Sequence, residues 1–178
     1  MCIEIEAKLK VDSLSEVEQK LTELDAEFLA EQIQMDYFFD NSNAALTTAD
    51  QCLRLRQQSV AGGERFFLTY KGAKEKCNFK KRQEIEIEII DAQSTQKLLS
   101  ALGYEKVLVV KKKRRLWQLD QCAVALDRLS LLGDFVEIEG PNNKEIADVQ
   151  NRLGLSELPH IEKSYAQLTK EERERRCV

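Results

Sequence analysis

From residue 3 to residue 11 the chain alternates strictly. Ile3, Ile5, Leu9 and Val11 occupy odd positions and Glu4, Glu6, Lys8 and Lys10 even ones, the period of two that marks a strand. The period then lengthens. Ser13 and Glu16 fit a capping box, and Leu14, Val17, Leu21, Leu24 and Phe28 recur at helical spacing, predicting an amphipathic helix over about 14–29. "EQIQMDYFFD" reads as a strand closed by the turn-rich "DNSNAA". "CLRLRQQ" and "RFFLTYKG" read as a hairpin around "SVAGGE", with Gly62 and Gly63 supplying the turn.

The second half repeats this order. "RQEIEIEII" is a strand and "DAQSTQKLLSALG" a short helix ended by Gly103. "VLVVKKKRRLWQL", "CAVALDRL" and "GDFVEIEG" are three more strands, and "NNKEIADVQNRLG" is a helix with Ile146, Val149 and Leu153 on one face and Gly154 past its end. The pattern therefore predicts about eight strands and three helices, ordered as strand, helix and three strands, twice over. Glu4-x-Glu6 before one helix and Glu84-x-Glu86 before the next suggest an internal duplication. The charged tail, about 169–178, reads as a solvated helix end or a frayed terminus.

Composition changes this picture little. With 178 residues, 7 glycines and 2 prolines, the chain has no linker-like stretch and reads as one domain over 1–178. No apolar run approaches the roughly 18 residues needed to cross a bilayer, and Glu4 and Glu6 stand where a signal peptide would not have them. The expectation is a cytoplasmic protein with no membrane partner. Five cysteines without a C-x-x-C pair (Cys2, Cys52, Cys77, Cys122, Cys177) indicate free thiols rather than a disulfide framework or zinc site. A formal charge of −4 argues against a nucleic-acid partner.

The segregation of charge by sign changes more. Glu4, Glu6 and Lys8 share one strand face, as do Arg54 and Arg56, then Glu84, Glu86 and Glu88, then Lys112 and Arg114, then Glu137 and Glu139, while Lys71 ends a strand. Faces of one sign are unfavourable on an open sheet, where like charges directly opposite each other are destabilising. The opposite faces carry Ile3, Ile5, Leu53, Leu55, Ile85, Ile87, Ile89, Val136 and Ile138, too apolar for water. A sheet curled so that helices dress its apolar outside and its charged inside lines a wet cavity satisfies both. Clustered Arg and Lys suit a compact polyanion. The carboxylates beside them call for a hard divalent cation, Mg²⁺ or Mn²⁺, between acid and phosphate.

These residues also form an ordered set. "EIEAK", "QMDYFFD", "LRLR", "LTYKG", "RQEIEIE", "KKKRRLW", "ALDRLSLLGDFVEIEG" and "IEKSYAQL" span nearly the whole chain. In this order they resemble the CYTH family of triphosphate tunnel enzymes, and most of all its class IV adenylyl cyclase-like branch. The resemblance implies an α+β fold built on an eight-stranded antiparallel closed β-barrel, and metal-dependent chemistry on a triphosphate. It implies that Glu6, Glu137 and Glu139 hold the metal with Glu4 close by, and that Lys8, Arg54, Arg56, Lys71, Lys112 and Arg114 clasp the triphosphate. Lys112 and Arg114 are preferred to the alternative Lys113-x-Arg115 because they keep period two with Val110 and the spacing to Trp117. Glu84 and Glu86 match the family's central acidic pair and Asp127 a further acidic position, which with Lys8 and Lys71 make the expected catalytic set. A homodimer is likewise implied by the resemblance.

Two reactions fit such a tunnel. A cyclase would turn ATP into cyclic AMP and pyrophosphate, and a triphosphatase would hydrolyse tripolyphosphate, thiamine triphosphate or a nucleoside triphosphate. Phe38, Phe39, Phe66, Phe67 and Trp117 are candidate walls for a base. A non-catalytic polyphosphate binder would gain nothing from the carboxylates. His160, the only histidine, lies outside the charged faces and is expected to pack rather than catalyse.

Overall fold

The structure, a computed structural model, describes residues 2–75 and 79–177, without the side chains of Cys2, Ile3 and Lys80. Cys77, and the expectations placed on the side chains of Cys2 and Ile3, lie outside the described residues. In chain order the elements are β1 (Cys2–Val11), α1 (Leu14–Glu23), β2 (Glu27–Asp40), α2 (Ala45–Thr48), β3 (Cys52–Val60), β4 (Gly63–Lys71), β5 (Lys80–Ile89), α3 (Ala92–Ala101), β6 (Glu105–Leu119), β7 (Cys122–Leu129), β8 (Gly133–Glu139), α4 (Asn143–Arg152) and α5 (Tyr165–Arg176). All the ladders are antiparallel and close into a barrel in the order β1-β5-β4-β3-β2-β6-β7-β8. Exchanging β1 with β5, β2 with β6, β3 with β7 and β4 with β8 returns the same circular order read the other way. That is the pattern an internal duplication would leave.

Local chemistry explains the boundaries. Ser13 caps α1 by accepting from the Glu16 amide, and Leu14, Val17 and Leu21 are buried beneath it. The helix stops at Glu23, short of the expected 29, because Asp25 takes a left-handed φ of 54° and the chain turns into β2. Phe28 then sits on a strand, with its ring 5.1 Å from that of Trp117. The β3–β4 hairpin turns at Ala61 and Gly62, and Gly63 has φ 126°. The tail continues as helix α5, whose start is fixed by a capping box between Ser164 and Gln167.

The apolar odd positions of β1 face outward under α1 and α4. Leu9, Val136, Ile138, Val124, Leu126, Ile146 and Leu153 form the main core there. A Cβ on Gly140 would lie 2.7 Å from Cys122 Sγ and 3.0 Å from Ile146, so glycine lets the end of β8 pack closely on β7 and α4. A smaller cluster of Phe39, Leu55 and Leu99 lies under α3. Helix cover is thus uneven, which departs from the expectation that every apolar strand face is dressed. On β5, Ile85 and Ile87 remain 49% and 54% exposed. The described cysteines Cys52, Cys122 and Cys177 are free thiols. No helix among the described residues is long and apolar enough to cross a membrane.

Candidate functional site

Closure of the barrel turns the charged strand faces inward around a cavity of about 870 Å³. It is lined by Glu4, Glu6 and Lys8 from β1, Arg54 and Arg56 from β3, Lys71 from β4, Glu84 and Glu86 from β5, Lys112 and Arg114 from β6, and Glu137 and Glu139 from β8. Thus every residue of the expected set except Asp127 meets in one tunnel. Lys113 and Arg115, the alternative pair, point outward to Glu31 and Glu18.

The interior is a set of interlocked ion pairs. Lys71 donates to both oxygens of Glu4 at 2.6 and 2.8 Å and lies 2.8 Å from Glu84. Arg56 makes a bidentate contact with Asp36 at 2.6 and 2.8 Å. Arg54 donates to Thr69 at 3.1 Å and to Glu86 at 3.4 Å. Arg114 grips Asp127 at 2.7 and 2.5 Å and also pairs with Glu137, which Lys8 approaches at 3.2 Å. Asp127 is fully buried behind this layer, where it also accepts from Lys112 at 3.1 Å and from the Tyr165 hydroxyl at 2.9 Å. It orients the cations and does not itself reach the cavity wall.

Burial and pairing set the charge states. Burial, followed by the neighbouring Arg114, lowers Lys112 to about 8. Burial works against ionisation of Asp127, but Arg114 and Lys112 outweigh it and hold the carboxyl below its usual range. Asp36 is held well below the carboxylate range in the same way by Arg56 and Arg54. At the rim, Glu139 is raised to about 7, by desolvation first and then by repulsion from Glu4 and Glu6.

That repulsion bears on the expected metal. Glu4, Glu6, Glu84 and Glu139 crowd one region of oxygen donors with Lys71 as a nearby cation, a donor set that suits Mg²⁺ or Mn²⁺. Among the described residues, no three acidic, cysteine or histidine side chains are already gathered as a ligand cage. The carboxylates instead hold, or are crowded beside, the tunnel's own cations.

Three site residues escaped the sequence reading. Asp36 lies on the polar face of β2 that Gln32 and Gln34 already outline. Arg82 is one period-two step before Glu84, 4% exposed and on the cavity wall. Tyr165 enters from α5 to close one end of the tunnel with Val110, Leu129 and Phe135, and Lys8 and Lys112 sit 4.3 and 4.8 Å from its ring centre. Only the first two leave a signal in the strand pattern. Of the candidate base walls, Phe38 and Phe39 line the cavity, whereas Trp117 is buried in the outer core and Phe66 and Phe67 lie off the cavity wall. His160 accepts or donates at 2.9 Å to Gln150 and tilts over Phe79, a packing position.

The same architecture is found in known proteins. A candidate adenylate cyclase of Methanocaldococcus jannaschii is 30% identical over 93% of this chain and 98% of its own. The structure of the PH1819 protein from Pyrococcus horikoshii superposes with a TM-score of 0.83 at 31% identity, covering 96% and 99% of the two chains. A Hippeastrum candidate adenylyl cyclase with a dominant triphosphatase activity shares the fold at a TM-score of 0.70 and 18% identity, over 93% of each chain. The CYTH domain profile matches residues 2–165, and with the inward-facing charge rows in place, the chain belongs to the CYTH family.

Proposed function

We propose that this protein is a divalent-metal-dependent enzyme that acts on a triphosphate inside the tunnel, with conversion of ATP to cyclic AMP and pyrophosphate as the first reaction to test. The observation that carries the reading is the pairing of opposite charges along the tunnel wall, where Lys71 is shared by Glu4 and Glu84 and Arg114 by Asp127 and Glu137. Lys8, Lys71 and Arg114, which would hold phosphate, are each neutralised by Glu4 or Glu137, carboxylates that would hold a metal. A metal–triphosphate complex could replace both partners at once, anion for anion and cation for cation, without leaving a buried charge unpaired.

In this reading Glu4, Glu6, Glu137 and Glu139 hold Mg²⁺ or Mn²⁺, which supplies Lewis acidity at the phosphorus under attack. Lys8, Arg54, Arg56, Lys71, Lys112 and Arg114 bind and orient the triphosphate and stabilise charge on the departing oxygen. Asp127 and Tyr165 fix Lys112 and Arg114, while Glu84 and Glu86 hold Lys71, Arg54 and Thr69 in register. The cyclase reaction is supported by the name of the Methanocaldococcus relative. Hydrolysis of tripolyphosphate, thiamine triphosphate or a nucleoside triphosphate is the alternative, favoured by the activity of the Hippeastrum protein.

Incubation with ATP, tripolyphosphate and thiamine triphosphate, each with Mg²⁺ or Mn²⁺, followed by phosphorus NMR, separates these reactions. Cyclic AMP with pyrophosphate supports the cyclase, and orthophosphate alone excludes it. Metal-independent binding without turnover on any of the three would overturn the enzyme reading.

A further inference from the structure

We infer that Arg82 is a further anion-binding residue of the tunnel, holding one phosphate of the substrate with Arg54 and Lys71 on the wall formed by β3, β4 and β5. The inference rests on the triphosphate reading of the site and adds to it a residue and a place.

Arg82 continues the inward row of Glu84 and Glu86, lines the cavity, and is 4% exposed. Its Nε has no hydrogen-bond partner, and among the described residues no carboxylate lies within ion-pair distance of it. Its neighbours differ. Lys71 is held by Glu4 and Glu84, Arg56 by Asp36, and Arg54 by Thr69 and Glu86. Asp50, whose carboxylate Arg82 helps to stabilise, is bound by the Lys74 ammonium at 3.3 Å and by the Lys74 amide. A guanidinium cannot shed its proton to escape burial, so one this buried, without a direct ion pair, gains from an anion that enters the cavity.

A second observation places that anion. Cys52 lines the cavity, pairs with Lys71 in the β3–β4 ladder and stands one period-two step before Arg54, and Arg82 also acts on its buried thiol. Two of these cations therefore flank a small side chain that burial keeps uncharged, and the third is near enough to act on it. The Nε of Arg54 is also buried and unpartnered, so two guanidinium groups on this wall have a donor to spare. Forked donors around a neutral floor match the tetrahedral oxygens of a phosphate.

Calorimetric titration with tripolyphosphate, without divalent metal, tests this on the wild type, Arg82→Lys and Arg82→Gln. The expected result is that Kd rises about tenfold or more in Arg82→Gln and by a smaller factor in Arg82→Lys, which keeps the charge but loses the fork. Cys52 supplies a readout that a merely structural residue would not move. Tripolyphosphate should slow its modification by methyl methanethiosulfonate, followed by peptide mass mapping, with the protecting concentration raised in the variants by the same factor as Kd. If both variants bind as the wild type does, whatever their thermal stability, the inference is overturned while the triphosphate reading stands. Should Arg82→Gln not fold, Arg82→Lys binding with wild-type Kd overturns it alone. A wild type that binds tripolyphosphate neither alone nor with Mg²⁺ overturns both.

Discussion

Lys71 on β4 holds Glu4 on β1 at 2.6 Å, reaching past β5, the strand that separates them in the barrel. The pair joins a residue of the proposed phosphate clasp to a residue of the proposed metal set, so the two ligands should compete for its members. Lys71→Gln should weaken tripolyphosphate binding by about ten- to a hundredfold through loss of a buried charge-assisted contact. It should also strengthen Mn²⁺ binding, because Glu4 loses its cation. Separate calorimetric titrations with the two ligands check the opposite signs, and a change of the same sign in both would refute the exchange.

Glu6 is 5% exposed and lines the cavity. If it is a metal-binding carboxylate, Glu6→Ala should lower metal-dependent turnover of a triphosphate by about a hundredfold or more while leaving metal-free binding of tripolyphosphate intact. Steady-state rates across a Mg²⁺ series, beside titration of the metal-free protein, give the answer. Unchanged turnover would remove Glu6 from the metal set.

Burial, followed by Arg114, lowers Lys112 to about 8, against the opposing pull of Asp127 and Glu137. A bound triphosphate favours its charged form, so binding should take up a proton between about pH 8 and 9, and the uptake should vanish in Lys112→Met. Titrations in buffers of different ionisation enthalpy measure it. The same shift affects stability. Between about 8 and the ordinary lysine value the folded chain binds fewer protons than the unfolded one, so this group's contribution to stability rises with pH across that window. Below about pH 8 the cost of charging the buried ammonium is fully present.

Asp127 is the anchor of the deepest cation layer, accepting from Arg114, Lys112 and Tyr165. Asp127→Ala strands those cations and should cost about 3–5 kcal/mol of stability. Tyr165→Phe loses one hydrogen bond to a carboxylate that keeps its other partners, and should cost about 1 kcal/mol. Chemical denaturation of both variants tests the order. Equal losses would mean that the hydroxyl, and not the carboxylate, holds the layer.

Ile87 and Ile138 look alike in the strand pattern but differ in cover, the first being 54% exposed and the second fully buried. Ile138→Ala should cost about 2–5 kcal/mol, whereas Ile87→Thr should stay within about 0.5 kcal/mol. Comparable losses would show that the β5 face is buried against something in solution.

Period-two alternation carried most of the fold and most of the site. It placed the strands, and because a side chain's face is fixed by its parity, it separated Lys112 and Arg114 from Lys113 and Arg115 before any tertiary information. Parity extended by one step would also have included Arg82 and Asp36. The helix α1 was overextended because Leu24 and Phe28 preserve helical spacing even though the backbone has already turned at Asp25. Local periodicity cannot register one left-handed residue.

By itself the sequence determined which side chains share a face, and the sign of charge on each face, since both follow from the pleat of a strand. Closure decided the rest. Only the barrel brings Glu4 to Lys71 and Arg114 to Glu137, residues 67 and 23 positions apart. Only the seating of α5 puts Tyr165 under Asp127, and only the unequal reach of the helices covers Ile138 and leaves Ile87 bare. These are matters of which surfaces meet, set by sheet curvature and by packing between distant segments, and no local pattern of polar and apolar residues encodes them.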